Sequence, residues 1–458
     1  MEKNTKGIKA FLLATIANMF GHCNNESPQK VKLLKNTAGY RAILCILLLT
    51  FTLPILSNVV SAGTSDFRFI AWADTKTGTS ILTKESILVN GLNPNFTIYP
   101  GDLISCSSST NPTCFANGFS AWKTAFNGGG TNDLFNKSFD TRGNHDANSD
   151  SAWLADFNFS AVSTSIGATH YSEQTQDMTY SFDYGNSHFV GIDLPGGDVS
   201  TMLSGEITWL DNDLTAAENR GLTHAFLFWH GPIYYVDGHP STTPDALIDV
   251  LNKHPIVSAT FHGHEHLVTY TYMNSSRISS ITHPFEEFVS GGAGASLYQA
   301  TPGRYDYWLN SGGISEFGFM AVDVSGNYFN ISVYNVDGSV DKTFSFYQIP
   351  ITLRIAGQGV VGNSVELQVI QDGKAIESTK ITRMPGSTNK QEATLSANID
   401  LSKPYSGRLI FDTEAAISGG TPVWVTIDGV TTKVTTFNTQ KHDPSSYHQT
   451  YDFTLPIQ

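Results

Sequence analysis

Residues 261–267 read FHGHEHL, three histidines set around one glycine and one glutamate in a chain of 458 residues that has only 14 histidines. Imidazole is a preferred metal ligand near neutral pH, so a cluster this tight raises the question of a metal. A helical zinc-protease motif would need glutamate directly after the first of two histidines four residues apart. Gly263 stands in that place, and glycine weakens a helix. The cluster instead closes an apolar, strand-like run, VSATF at 257–261, where a glycine lets the backbone turn close to an ion.

Other strand-like runs end the same way: FRFIAWADTK (67–76), FTIYPGDL (96–103) and HAFLFWHGP (224–232), with RGNHDA (142–147) opening a further glycine turn. Helical patterns fall between some of them, in EITWLDNDLTAAEN (206–219) and TPDALIDVLNKH (243–254), the latter suited to start at Thr243 and Pro244. Strands alternating with helices predict an α/β layered domain whose site lies just beyond the strand ends. In chain order those ends supply Asp74, Asp102, Asn144, His145, Asp146, His230, His264 and His266. These are the carboxylate, amide and imidazole groups that divalent metals take.

The series GD, GNHD, a lone His and GHEH, in that order, resembles the calcineurin-like metallophosphoesterase superfamily, and within it the purple acid phosphatases. The resemblance covers roughly residues 65–348 and includes the softer stretches VSGGAGASLY (289–298) and FGFMAVDVSGNYFNISVYNVDG (317–338). It implies a four-layered α/β/β/α sandwich and two divalent or trivalent metal ions, Mn, Fe or Zn. Asp102 would bridge them, Asp74 and His266 would hold the first, and Asn144, His230 and His264 the second. Such a pair holds a hydroxide and clamps phosphate oxygens during in-line attack. His145 would protonate the leaving oxygen, and Asp146 would orient its imidazole. In HGHEH only two histidines would then be ligands, with Glu265 pointing away and His262 an ordinary residue that supports the ligands or packs beside them.

Two positions depart from the family pattern. Lys76 stands where a histidine is usual, and an ammonium has no lone pair to give a metal. It could direct its charge at the substrate phosphate, deprotonate beside a dication and ligate, or lie on the surface beside a weak first site. The stretch GDLIS also lacks the tyrosine that purple acid phosphatases place after GD, which disfavours the ferric-tyrosinate subtype.

The rest of the chain frames this site. Residues 1–62 carry Lys30, Lys32, Lys35 and Arg41 before the apolar run AILCILLLTFTLPILSNVV, with small residues for cleavage after Ala62. They read as a signal peptide or N-terminal anchor, and a start at Met19 is an alternative. That predicts a secreted or cell-envelope protein. Residues 1–62 hold seven Lys/Arg and two Glu, so removing them moves the formal charge from −14 to −19. A surface this acidic excludes nucleic-acid binding through a basic face and favours a small phosphate ester as substrate. Cys23 and Cys45 lie in the leader, so Cys106 and Cys114 are predicted to pair in an exported chain. Residues 63–348 form the predicted catalytic domain. Beyond Pro350 there is almost only alternation, as in VELQVIQDGKAI and PVWVTIDGVTTKVTTF, so 349–458 is predicted to be an all-β sandwich. Glycan or envelope contact is one role open to it. A cell-surface binding protein with a degenerate metallophosphoesterase domain is the rival to the hydrolase, resting on Lys76 alone.

Overall fold

The computed structural model describes residues 67–106, 112–239 and 242–455. The predicted leader therefore lies outside the described residues. In β1, Phe67–Ala71, the alternation of FRFIA brings Phe67 and Phe69 to one face of the strand. There Phe69 packs on Phe96 of its own sheet at 5.6 Å between ring centroids. Across the interior it meets Phe189, Phe226 and Phe261 at 5.2–5.7 Å. Fully buried aromatic rings thus fuse two sheets face to face, the largest apolar payload per residue available to a core.

The first sheet sets β1 parallel to β2 (Phe96–Pro100), and β2 parallel to β3 (Ser138–Thr141). On the other edge of β1 an antiparallel meander follows, Gly318–Ser325, Tyr328–Asn335 and Val340–Ile355. In the second sheet, β4 (Thr169–Thr175), β5 (Thr179–Tyr184) and β6 (Ser187–Gly191) lead to β7 (His224–Phe228) and β8 (Val257–His262). β9 (Val268–Met273), β10 (Phe285–Ser290) and a short edge strand, Tyr307–Trp308, beside β9 complete it, with β6, β7, β8 and β10 mutually parallel. Helices α1 (Thr79–Gly91) and α2 (Pro112–Phe126) bury Leu82, Val89, Phe119 and Trp122 with Trp72 and Tyr99 against the first sheet. Two short helices follow β3: α3 (Asp150–Asp156) and α4 (Phe159–Ile166). Helices α5 (Ser204–Asn219) and α6 (Asp245–Lys253) bury Leu210, Leu214, Leu247 and Leu251 with Val190, Leu227 and Val257 of the second sheet. The result is the four-layered α/β/β/α sandwich expected from the sequence.

The C-terminal strands form a β-sandwich, also as expected. Ile351, Leu353 and Ile355 pack with Val423 and Val425 against Val365, Leu367, Leu409 and Phe411 of a second, four-stranded sheet. The position where the sequence changes character, 348/349, falls inside one continuous strand, Val340–Ile355. Its first half pairs with Tyr328–Asn335 and its second with Gln391–Asp400 and Thr421–Ile427. One nine-stranded sheet therefore serves both parts. Side chains seal the junction: Gln348 Nε2 donates to Pro255 O at 2.5 Å, Asn398 Nδ2 donates to Ser258 O at 3.1 Å, and His283 Nδ1 lies 2.6 Å from Glu377 Oε2.

Candidate metal centre

The C-terminal ends of β1, β2 and β3 carry Asp74, Asp102 and Asn144, and those of β7 and β8 carry His230, His264 and His266. Every oxygen ligand expected from the sequence comes from the first sheet and every nitrogen ligand from the second. The backbone at this edge is held in a costly conformation. Asp74, Lys76, Asp102, His264 and His266 have φ of 65°, 50°, 57°, 73° and 43°. The left-handed region is unfavourable for residues with a Cβ, and it persists where surrounding structure over-determines it, commonly at functional sites.

In the first position, ligand atoms of Asp74, Asp102 and His266 lie within 4.8 Å of one another. His266 Nδ1–H donates to Ser296 O at 2.8 Å, which turns the Nε2 lone pair inward. Asp74 Oδ1, Asp102 Oδ2 and His266 Nε2 are all buried and have no hydrogen-bond partner among the described residues, with the charge of Lys76 Nζ close beside Asp102 Oδ2. Burial pushes the Asp74 carboxyl up to about 8 and holds His266 down to about 4, so the imidazole is neutral and able to ligate. Buried acceptors are rarely left unsatisfied, and this donor set suits a cation.

In the second position Asn144 Oδ1 lies 3.2 Å from both His230 Nε2 and His264 Nδ1. His230 Nε2 is also 3.3 Å from Asp102 Oδ1, and its Nδ1–H donates to Pro100 O at 2.9 Å. Burial works against charge on His230, but Asp102 and Asp74 outweigh it and raise its pKa to about 9. Burial and the neighbouring His230 hold His264 down to about 3. All six expected ligands are thus brought together. The approach is so close that a Cβ on Gly143 would fall 2.4 Å from Asp102 Oδ1, and one on Gly263 2.4 Å from Asp74 Oδ2.

His145 borders the same carboxylate, its backbone N–H donating to Asp102 Oδ1 at 2.8 Å. Asp146 does not orient the His145 ring, contrary to expectation. Its carboxylate is occupied by the N–H groups of Leu103, Ile104 and Gly143 at 3.0–3.1 Å, so it ties the β2 loop to the β3 loop. The ring of His145 meets Ser105 instead, Nδ1 to Oγ 3.3 Å. Lys76 is not a surface residue: its side chain is 15 % exposed, and Nζ lies 3.2 Å from Asp102 Oδ2.

The surrounding residues include some that the sequence did not single out. His262 is buried, with Nδ1 3.0 Å from Trp229 O, and stays out of the centre. Glu265 points away from the metal positions but is no idle residue. It accepts the N–H groups of Val236 and Asp237 at 3.0 and 2.6 Å and so braces the loop after β7. In that loop the Tyr235 hydroxyl donates to Asp198 at 2.9 Å and its ring edges onto His264. Tyr234 lies under Arg304, and His239 pairs with Asp237. Tyr298 stacks on the outer face of His266 at 4.3 Å. The small-residue run before it was the only signal for Tyr298. Trp72, Trp122 and Trp229 are fully buried packing groups.

A family model for calcineurin-like phosphoesterases matches residues 79–268, the span that holds Asp102 through His266. Among solved structures, a purple acid phosphatase from yellow lupin seeds is 15% identical with a TM-score of 0.47, over 62% of this chain and 54% of that one. The chain therefore spans about half the length of the lupin protein. A predicted phosphoesterase from Streptococcus pneumoniae TIGR4 is 11% identical over 61% of this chain and 97% of its own, with a TM-score of 0.27. A phosphoesterase from E. coli is 10% identical over 60% and 97%, with a TM-score of 0.28. No curated protein matches the chain.

Proposed function

We propose, from the calcineurin-like phosphoesterase match over residues 79–268, that this chain is an exported, metal-dependent hydrolase of small phosphate esters. The observation that carries the reading is the convergence of Asn144, His230 and His264, faced by Asp102 Oδ1, beside the buried group of Asp74, Asp102 and His266. A bound Mn, Fe or Zn ion would supply Lewis-acid polarisation of phosphate oxygens. The protein supplies the remaining functions. Asp102 fixes the backbone of His145, and Ser105 engages ring Nδ1, which leaves Nε2 to carry the proton for the departing ester oxygen. Asp146 locks the two loops that carry Asp102 and His145. The disulfide between Cys106 and Cys114 fits an oxidising compartment and supports export.

The contact of Lys76 with Asp102 favours one other reading, a binding protein that has lost catalysis. Hydrolysis of a chromogenic phosphate monoester and of its matching diester by metal-stripped protein, with Mn, Zn or Fe added back, separates the two. Turnover with metal and none without supports the hydrolase, and the rate ratio assigns its ester class. No turnover with any metal overturns it.

A further inference from the structure

The backbone of the segment after β1 is held from both sides. Asp74 N–H donates to Gly101 O at 3.2 Å and Lys76 N–H to Asp102 O at 3.1 Å. On the other side Ala293 N–H donates to Ala73 O at 3.0 Å and Ala295 N–H to Asp74 O at 2.8 Å. Gly78 packs so tightly on Gly294 that a Cβ would fall 2.0 Å from its carbonyl oxygen. With its backbone clamped on both flanks at φ 50°, Lys76 extends inward and sets Nζ 3.2 Å from Asp102 Oδ2, one of the three acceptors of the first position. Among the described residues that position then offers a metal Asp74, Asp102 and His266, with the Lys76 ammonium set against one of their oxygens. The second position keeps Asn144, His230 and His264, and Asp102 Oδ1 faces it.

We propose that the Lys76 ammonium is the resident cation of the first position, so that the centre takes up one metal ion per chain, at the second. An ammonium offsets the charge of the Asp102 carboxylate and offers hydrogen bonds to a phosphate oxygen, but it gives no lone pair. This rests on the hydrolase reading, in which the centre binds a catalytic metal.

The test is metal stoichiometry. Metal-stripped full chain is titrated with Zn²⁺ by calorimetry, and the loaded protein is assayed for metal by mass spectrometry, for the parent, Lys76→His and His264→Ala. One equivalent in the parent, two in Lys76→His and loss of the tight equivalent in His264→Ala are expected. Two equivalents of similar affinity in the parent, or one in both parent and Lys76→His, overturn the proposal. No binding by parent or Lys76→His removes the hydrolase reading along with it. If Lys76→His does not fold, His266→Ala decides: the parent's single equivalent should survive loss of a first-position ligand, and its disappearance refutes the assignment.

Discussion

Replacing His145 by alanine is expected to lower kcat by roughly 10²–10⁴-fold, the range for loss of a general acid. Metal content should be unchanged, because only its backbone N–H, which alanine retains, touches a proposed ligand. Assays of turnover and bound metal on the same sample check both halves. Gly143→Ala is expected to act the other way, cutting metal affinity before chemistry, since its Cβ would press on Asp102 Oδ1 and on the His230 ring, which face the second position. A loss of about 10–100-fold in Zn²⁺ affinity, as for other residues that position ligands, is the expected size. At this scale the sequence was informative about which residues meet, because GD, GNHD and GHEH carry the ligands in short motifs. It was poor on their supporting contacts. Neighbours in a turn project to different sides, so Asp146 beside His145 in sequence serves three backbone amides instead. Glu265 bracing the 236–237 loop is likewise a long-range contact that no local pattern announces.

Among the elements, α5 and α6 were legible because their apolar residues recur at helical spacing. α1 and α2 were not. TSILTKESILVNG buries polar Glu85 and Ser86 beside Leu82 and Val89, which blurs the stripe. The disulfide pins the N-terminal turn of α2 to the loop carrying Asp102 and Ser105. Cys106 N–H also donates to His145 O at 3.1 Å. Reducing the disulfide is expected to cost ~2–3 kcal/mol by loop entropy and to depress turnover without releasing metal, tested with and without a phosphine reductant. On β6, buried His188 is bound through Nδ1 to Asp183 at 2.7 Å and through Nε2 to Asp213 of α5 at 2.8 Å. Burial lowers its pKa, but the two carboxylates outweigh burial and raise it above 6.5. A raised folded-state pKa adds stability that is complete below the unfolded value and fades as pH rises through the folded one. The Tm gap between the parent and His188→Gln should therefore be widest below pH 6.5 and narrow on the alkaline side.

For the molecule as a whole, the sequence placed a change of character at 348/349, and alternation beyond it correctly indicated a sandwich. Periodicity could not show that the strand runs on, because both halves of Val340–Ile355 alternate alike. Truncation after Gln348 would cut the strand Val340–Ile355 in two and delete Ile349, Ile351, Leu353 and Ile355 together with the rest of the sandwich core. It would also remove Asn398 from Ser258 O and from the buried Glu286, whose pKa burial pushes up to about 8. We expect the truncated chain to lose Tm, and Asn398→Ala alone to cost about 1–3 kcal/mol, the penalty for an unsatisfied buried acceptor. Thermal scans of both variants against the parent check this.

The division of ligands between the sheets also orders events in time. A growing chain presents all of its oxygen donors once Asn144 has been made, but none of the ligating imidazoles until His230, and not the last until His266. The complete set exists only when the aromatic seam between the sheets has closed. On the proposed hydrolase reading, loading the ion would therefore be a finishing step of biogenesis, and the compartment in which the sheets close would set the metal on offer.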